Sequence, residues 1–367
     1  MILLLIAVVV HAICFIVLAW AWSKIDSTEP GGKDLEPFVS VLIPIRNEEE
    51  NILSLLRQLE RQEYSTARFE VVIIDDHSED LSADVIKVFI AKTGIDVTLI
   101  SLDTTTGKKS ALETGVRKAK GQVILCTDGD CKVLPTWIST YARVFSDEKI
   151  KMVTGPVKMV PVNGFGQYQA LDFSSLIGFG AASLQLGIPS TCNGANMAYR
   201  KEVFEELGGY EGNRQIPSGD DEFLLQKVHQ RYPNGVKFLK KREAVVATAP
   251  KEDLKAFLQQ RIRWSSKWRF HSSNIVKTAA IWVFLDSILF FALMYVGLWA
   301  DLRLIFMLFF VRIVPEVYYL SRVSKFFNVK VSSPYYLAIS IMSPFYIFFL
   351  GFASIFGKYS WKGRRYS

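Results

Sequence analysis

Val39-Ser40-Val41-Leu42-Ile43-Pro44-Ile45, then Arg46-Asn47-Glu48-Glu49-Glu50, then Asn51-Ile52-Leu53-Ser54-Leu55-Leu56-Arg57-Gln58-Leu59 is the stretch that decides the fold. The first part is a short apolar run brought to a close by Pro44, the length of a buried strand. The second is a polar turn. The third sets Ile52, Leu55, Leu56 and Leu59 on one face of a helix. The same order recurs downstream. Residues 69–74 read as a second strand that stops at Asp75-Asp76-His77-Ser78. Residues 97–102 read as a third, and 122–126 as a fourth that runs into Asp128-Gly129-Asp130. Strands alternating with helices predict βαβ units and a mainly parallel, Rossmann-like α/β sheet. In such sheets ligands bind at the carboxyl ends of the strands. Asn47-Glu48, Asp75-Asp76 and Asp128/Asp130 all follow strand ends, so three acidic clusters are expected on one rim.

Outward from this core the composition changes twice. Residues 1–23 are almost wholly apolar, and the first charge is Lys24. That run is long enough to span a bilayer, which takes about 20 residues. A signal peptide is the competing reading, but the run lacks a basic start and no small-residue cleavage pattern follows. Residues 24–36, with Pro30-Gly31-Gly32, read as a linker, and 37–271 as one soluble domain. Segments 278–299, 302–320 and 334–356 read as spanning or membrane-embedded, and 357–367 as a basic tail. The net charge of +7 gathers in the middle domain and beside these segments, as expected of loops facing an anionic inner leaflet. Nucleic acid is disfavoured, because no basic run is interleaved with aromatics on a soluble face. Four cysteines are too few for a disulfide framework. Cys126 and Cys131 lack metal-ligand spacing and read as small core residues.

Acids crowded on a rim repel one another unless a cation sits among them, commonly a hard divalent ion shared with substrate phosphates. Asp128-Gly129-Asp130 suits that, although such triplets also occur in surface loops. Asp75-Asp76 would serve as helix caps, yet exceed what capping needs. Gly107-Lys108-Lys109-Ser110 opens a helix: either a solvated basic turn, or a lysine and a helix N-terminus aimed at a diphosphate. Ser218-Gly219-Asp220-Asp221-Glu222 precedes the apolar Phe223-Leu224-Leu225; one acid is a cap, and another is free to act as a general base. Gln259-Gln260-Arg261-Ile262-Arg263-Trp264 lies on an amphipathic helix suited to a membrane interface.

Taken in order, these motifs resemble the family 2 glycosyltransferases, in the membrane-embedded branch of cellulose, chitin and hyaluronan synthases and ceramide glucosyltransferase. The match runs from about Val39 to Trp264. It covers the opening through Pro44, Arg46, Asn47 and Glu48, then Asp75-Asp76-His77-Ser78, Asp128-Gly129-Asp130, Asp220-Asp221 and the QxxRW of Gln260 to Trp264. The resemblance implies a GT-A-like domain with transmembrane helices at both ends. It implies that Pro44, Arg46, Asn47, Glu48, Asp75, Asp76, Lys108 and Asp128 bind the nucleotide sugar, and that Asp130 with Asp128 holds Mg²⁺ or Mn²⁺. It further implies catalytic roles for Asp221, Asp220 and Arg263. Asn193, Gly194, Gln260 and Trp264 would serve the acceptor. His77 stands where glycine is common and Asp220 where glutamate is; neither change removes a catalytic carboxylate. The membrane part is small beside that of the large synthases.

The function expected is inverting transfer from a UDP-sugar donor to a lipid or growing glycan at the inner membrane face, with the catalytic domain cytoplasmic and the chain multi-pass. Processive polysaccharide synthesis, an inactive accessory protein and a nucleotidyltransferase are the alternatives. Topology carries a conflict. Three full spans after Lys277 would carry the basic tail outward, so the final segment, with Pro344 and Gly351, is expected to re-enter or lie in the interface.

Overall fold

The computed structural model describes residues 1–26, 36–216, 218–267, 270–271, 273–299, 301–356, 359–361 and 364–366. The Pro30-Gly31-Gly32 linker and the tail lysines Lys358 and Lys362 lie outside the described residues. In chain order the elements are α1 (Ile2–Lys24), β1 (Val39–Ile45), α2 (Ile52–Leu59), β2 (Phe69–Asp75), α3 (Ser82–Ile90), β3 (Val97–Ser101), α4 (Lys108–Lys118), β4 (Val123–Cys126) and α5 (Trp137–Val144). Then come β5 (Met152–Thr154), β6 (Val157–Met159), α6 (Gly164–Gln185), β7 (Met197–Arg200), α7 (Lys201–Glu206), α8 (Asp220–Arg231), β8 (Val236–Phe238) and β9 (Val246–Thr248). The last are α9 (Leu254–Ser265), α10 (Asn274–Gly297), α11 (Leu302–Phe327), α12 (Pro334–Phe356), β10 (Tyr359–Trp361) and β11 (Arg364–Tyr366). By packing they fall into two compact units, one of residues 26–158 and 189–249, the other of 1–25, 159–188 and 250–367.

The first unit is built on a seven-stranded sheet of order β3-β2-β1-β4-β7-β5-β8. β1 pairs in parallel with β2 and with β4, and β2 with β3. Parallel strands are covered on both faces, so their sequences run apolar without alternation. Val39, Val41, Leu42 and Ile43 are accordingly sealed from solvent, as are Ile52, Leu55, Leu56 and Leu59 of α2. The register places Ile45 opposite Asp75 and Asp75 opposite Ser101, which levels the ends of three strands and opens their loops on one rim. β7 is the exception, running antiparallel between β4 and β5. Its loop, 193–196, therefore opens on the rim where β4 ends.

The second unit holds four helices long and apolar enough to cross a membrane: α1, α10, α11 and most of α12. α1 runs alongside α11 in the same direction, with Phe15 against Tyr319 and Trp22 against Phe326. α10 runs the opposite way, so that Val8, Leu293, Ile305 and Leu308 share one cluster. Four ionisable side chains meet inside this bundle. Arg312 donates from both terminal nitrogens to Asp286, at 2.8 and 2.7 Å. His11 places Nδ1 3.1 Å from Asp286 and Nε2 3.7 Å from Glu316. A lone buried charge costs several kcal/mol, so these groups are tolerable only together. They also fix the register of α1 against both neighbours.

α6, a 22-residue helix capped by the Asn163 side chain on Gly166 N, has no counterpart in the periodicity reading. It packs in the helical unit with α1, α11 and α12. α12 is unbroken through Pro344. It begins where Ser332 N meets Gln167 Oε1 and Tyr336 OH meets Ser324 Oγ. Its far half runs antiparallel to α10, with Phe345 on Phe291 and Phe352 on Phe284. Leu350 then reaches Ile262 of α9, and β10 lies beside α9 too. α12 thus touches α11 near its start and α9 near its end.

Removing one partner of a buried ion pair strands the other. Arg312→Leu is expected to destabilise the protein by about 3–5 kcal/mol, and Asp286→Leu/Arg312→Leu to regain most of it, as read by thermal unfolding in detergent.

Candidate active site

On the rim of the sheet unit, Lys108 sits among the acids. Its Nζ lies 2.6 Å from Asp128 Oδ1 and 3.7 Å from Asp220 Oδ2. Burial works against its charge, but the Asp128 and Asp220 carboxylates outweigh burial and hold the ammonium above the ordinary lysine range. Lys108 is presented by the first turn of α4, whose start is set from β2. Asp76 Oδ2 accepts from Gly107 N at 2.9 Å, and Gly107 takes a positive φ of 96° open to glycine.

Asp220 and Asp221 open α8 after Gly219, itself left-handed. Asp221 Oδ2 accepts from Gly194 N at 3.0 Å and its Oδ1 from Glu222 N at 2.8 Å. A Cβ on Gly194 would stand 3.0 Å from Asp220 Oδ2 and 3.4 Å from Lys108 Nζ, so this backbone passes close to the cluster. The loop carrying Asn193 and Gly194 is anchored by Asn196, which is sealed from solvent. Its Oδ1 accepts from Trp137 Nε1 and Tyr141 OH, and its Nδ2 donates to Pro156 and Ala244 carbonyls. With all its polar positions used, Asn196 fixes the loop.

The residues after β1 and β2 are interlocked. Arg46 donates to the Asp76 and His77 carbonyls and to Glu79. Asn47, at a positive φ of 52°, accepts from Glu79 N through Oδ1, and Glu48 accepts from Asn51. Asp75 Oδ1 accepts from the backbone and hydroxyl of Ser78, a turn that the polar spacing allows. Pro44 lies within β1, opposite Ile74. Asp130 follows Asp128 across Gly129, where a Cβ would meet Glu48 Cγ at 3.0 Å. Cys126 and Cys131 are buried beneath; burial pushes the Cys126 thiol up to about 12 and Cys131 well above its usual value, so both stay neutral. Among the described residues no three His, Cys, Asp or Glu side chains converge on a metal position. Asp128 and Asp130 offer two carboxylates, a donor set suited to a hard ion whose remaining positions are taken by other oxygens.

Gln260, Arg263 and Trp264 belong to α9 in the helical unit. There the periodicity reading missed Arg261. It is buried, pairs with Asp172, which also accepts from Tyr346 OH, and lies over Phe257 and Trp264 at 4.8 and 4.5 Å.

With this geometry in place, comparisons with known proteins place a family domain on the sheet unit. The family model for Glycosyl transferase family 2 matches residues 40–208, taking in β1 through Asp130 and on to Gly194. Residues 40–208 thus carry the glycosyl transferase family 2 domain. Among curated relatives, glycosyltransferase AglE of Haloferax volcanii is 28% identical over 185 residues, 50% of this chain and 59% of that protein. Beta-monoglucosyldiacylglycerol synthase of Trichormus variabilis is 25% identical over 272 residues, 71% of this chain and 56% of that protein. The chain thus spans less than two thirds of the length of these relatives. The solved mannosyltransferase PcManGT of Pyrobaculum calidifontis, in complex with GDP-Man and Mn²⁺, shares the fold at a TM-score of 0.65 and 20% identity. That match covers 96% of this chain and 97% of that one. The family match stops before Asp220, Asp221 and the α9 motif, so their assignment rests on this chain's own residues.

Proposed function

We propose that this protein is an inverting glycosyltransferase that moves a sugar from a UDP donor to a lipid or growing glycan at the inner face of the membrane. The observation that carries this reading is the cluster of Lys108, Asp128, Asp220 and Asp221 at the carboxyl rim of a family 2 sheet. A diphosphate carries negative charge, and the rim offers the Lys108 ammonium and the N-terminus of α4. Asp75 and Asp76 are assigned to the nucleotide. Asp128 and Asp130 would hold Mg²⁺ or Mn²⁺, which when bound neutralises charge on the diphosphate leaving group.

Asp221 is assigned the base. Its carboxylate is held in place by Gly194 N and is not needed for nucleotide or metal. It would take the acceptor hydroxyl proton as that oxygen bonds to the anomeric carbon and the nucleoside diphosphate departs. One displacement inverts the configuration. Arg263, Gln260 and Trp264 are assigned to diphosphate and acceptor on the strength of their motif. A glycolipid product is favoured over an exported polymer because the helical unit has few apolar helices.

The topology belongs to the same proposal: catalytic domain cytoplasmic, Met1 outside, and the α12 segment re-entrant or lying in the interface without crossing. The support is that Arg322, Lys325 and Lys330, ahead of α12, are exposed and that a basic tail follows it, and both basic stretches favour the same side.

Three outcomes are expected. A panel of radiolabelled UDP- and GDP-sugars with purified enzyme in lipid should give transfer from one UDP-sugar, abolished by EDTA and by Asp130→Ala; full activity in excess EDTA sinks the metal assignment. Asp221→Asn should bind donor normally and lose about 10²–10⁴-fold in turnover, whereas lost binding with unaffected turnover would contradict it. Ser367→Cys should resist an impermeant thiol reagent in intact cells; labelling from outside would mean three full crossings.

A further inference from the structure

Two lysines away from the acid cluster are committed to a single loop. Residues 207–216 lead from α7 toward the turn that starts α8, and so deliver Asp220 and Asp221. The loop contains Gly208, Gly209 and Gly212, all at positive φ. Such a backbone has many conformations open to it and needs to be held. Lys227 of α8 donates to the carbonyls of Leu207, Gly209 and Glu211, at 3.3, 2.8 and 2.9 Å. Lys109 of α4 donates to the carbonyls of Asn213 and Ile216, at 2.7 and 2.9 Å. Its ammonium also lies 4.9 Å from the centre of the Phe223 ring on α8.

Glu113 stands one turn beyond Lys109 on α4 and works on the same loop. It accepts from Tyr210 N at 3.3 Å and from Arg214 Nε at 3.1 Å. Charged donors make stronger bonds than neutral ones, and an ammonium as buried as that of Lys109 is costly unless its donors are used. Consecutive residues of α4 therefore do two jobs: Lys108 reaches the acids, and Lys109 reaches the loop that brings them.

We infer that Lys109 and Lys227 are positioning residues, a two-ammonium clamp that sets where Asp220 and Asp221 stand by holding loop 207–216 between α4 and α8. The inference rests on the proposed role of these carboxylates and names what orients them.

The test compares Lys109→Met, Lys109→Arg, Lys227→Met, Asp221→Asn and the double variant Lys109→Met/Asp221→Asn. Turnover is read with the nucleotide sugar that the panel selects, and binding with UDP plus Mn²⁺. Misplacing a reacting group by about 1 Å costs on the order of 10²-fold. Lys109→Met should lower kcat by about 10- to 100-fold with the donor KM and UDP affinity unchanged. Lys109→Arg should restore most of it, and Lys227→Met should lower kcat in the same direction. Because the clamp acts through Asp221, the double variant should be no slower than Asp221→Asn alone. Losses that multiply, or a raised donor KM, overturn the clamp. So does a lower unfolding temperature with kcat per folded molecule intact. If Lys109→Met does not fold, Lys227→Met carries the test, and an unchanged kcat there overturns the inference. Full activity in Asp221→Asn would overturn the base assignment alone, leaving the clamp to be judged by the kcat of the two lysine variants.

Discussion

Carboxylates brought together at the ends of parallel strands repel one another, and the sheet unit resolves this with one ammonium. Lys108 stands between Asp128 from the end of β4 and Asp220 from the start of α8. Without it, two acids from opposite sides of the rim would face each other across a few ångströms, at a cost that rises as water leaves. The surrounding construction serves that contact. Asp76 fixes Gly107 and hence the start of α4, Gly194 leaves room for the ammonium, and the buried amide of Asn196 holds the loop that carries Gly194. The same charge that makes the acids compatible is also suited to the diphosphate assigned to this rim.

The helical unit meets the mirror problem, with charge in a setting that has little water to offer. Asp286, Arg312, His11 and Glu316 come from three helices and are mutually dependent. Such a cluster adds little net stability over well-packed apolar side chains. What it supplies is a single register, because sliding α1 by one turn would bury His11 and Glu316 without partners. α1 is therefore a full member of the bundle, beyond what an apolar anchor would require.

Much of the sheet unit was legible in the sequence because its first four strands are apolar and end in polar turns. β1 matches the expected bounds, and β2, β3 and β4 differ by a residue at an end, where helix and strand limits are soft. The acids that follow those strands were legible for the same reason. Short strands such as β5, β7 and β8 carry too few residues for a period. α6 was hidden by its composition: it contains four glycines and is buried on nearly every side, so no stripe marks a face. His11 reads in the sequence as one neutral residue in an apolar run. Its partners are 275 residues or more away in sequence, beyond any local pattern. Arg261 was read as part of a motif, though packing gives it a task of its own between Asp172 and the aromatic rings.

The net positive charge also looks different once the partners are known. In the sheet unit, cations are repeatedly spent on backbone carbonyls. Arg46 holds the turn after β2, Arg200 the carbonyls of Phe145, Asp147 and Ile150, and Lys201 that of Ala119. A donor used in this way satisfies a carbonyl that a loop leaves over, and it faces inward. Such residues keep their charge and add to the formal +7, but their positions are set by the loops they hold. The cations that bear on membrane orientation are those left exposed, such as Arg322 and Lys325 on the last turns of α11 and Lys330 beyond it. A charge count weighs all cations equally, whereas attraction to a charged leaflet falls off within a Debye length of its surface.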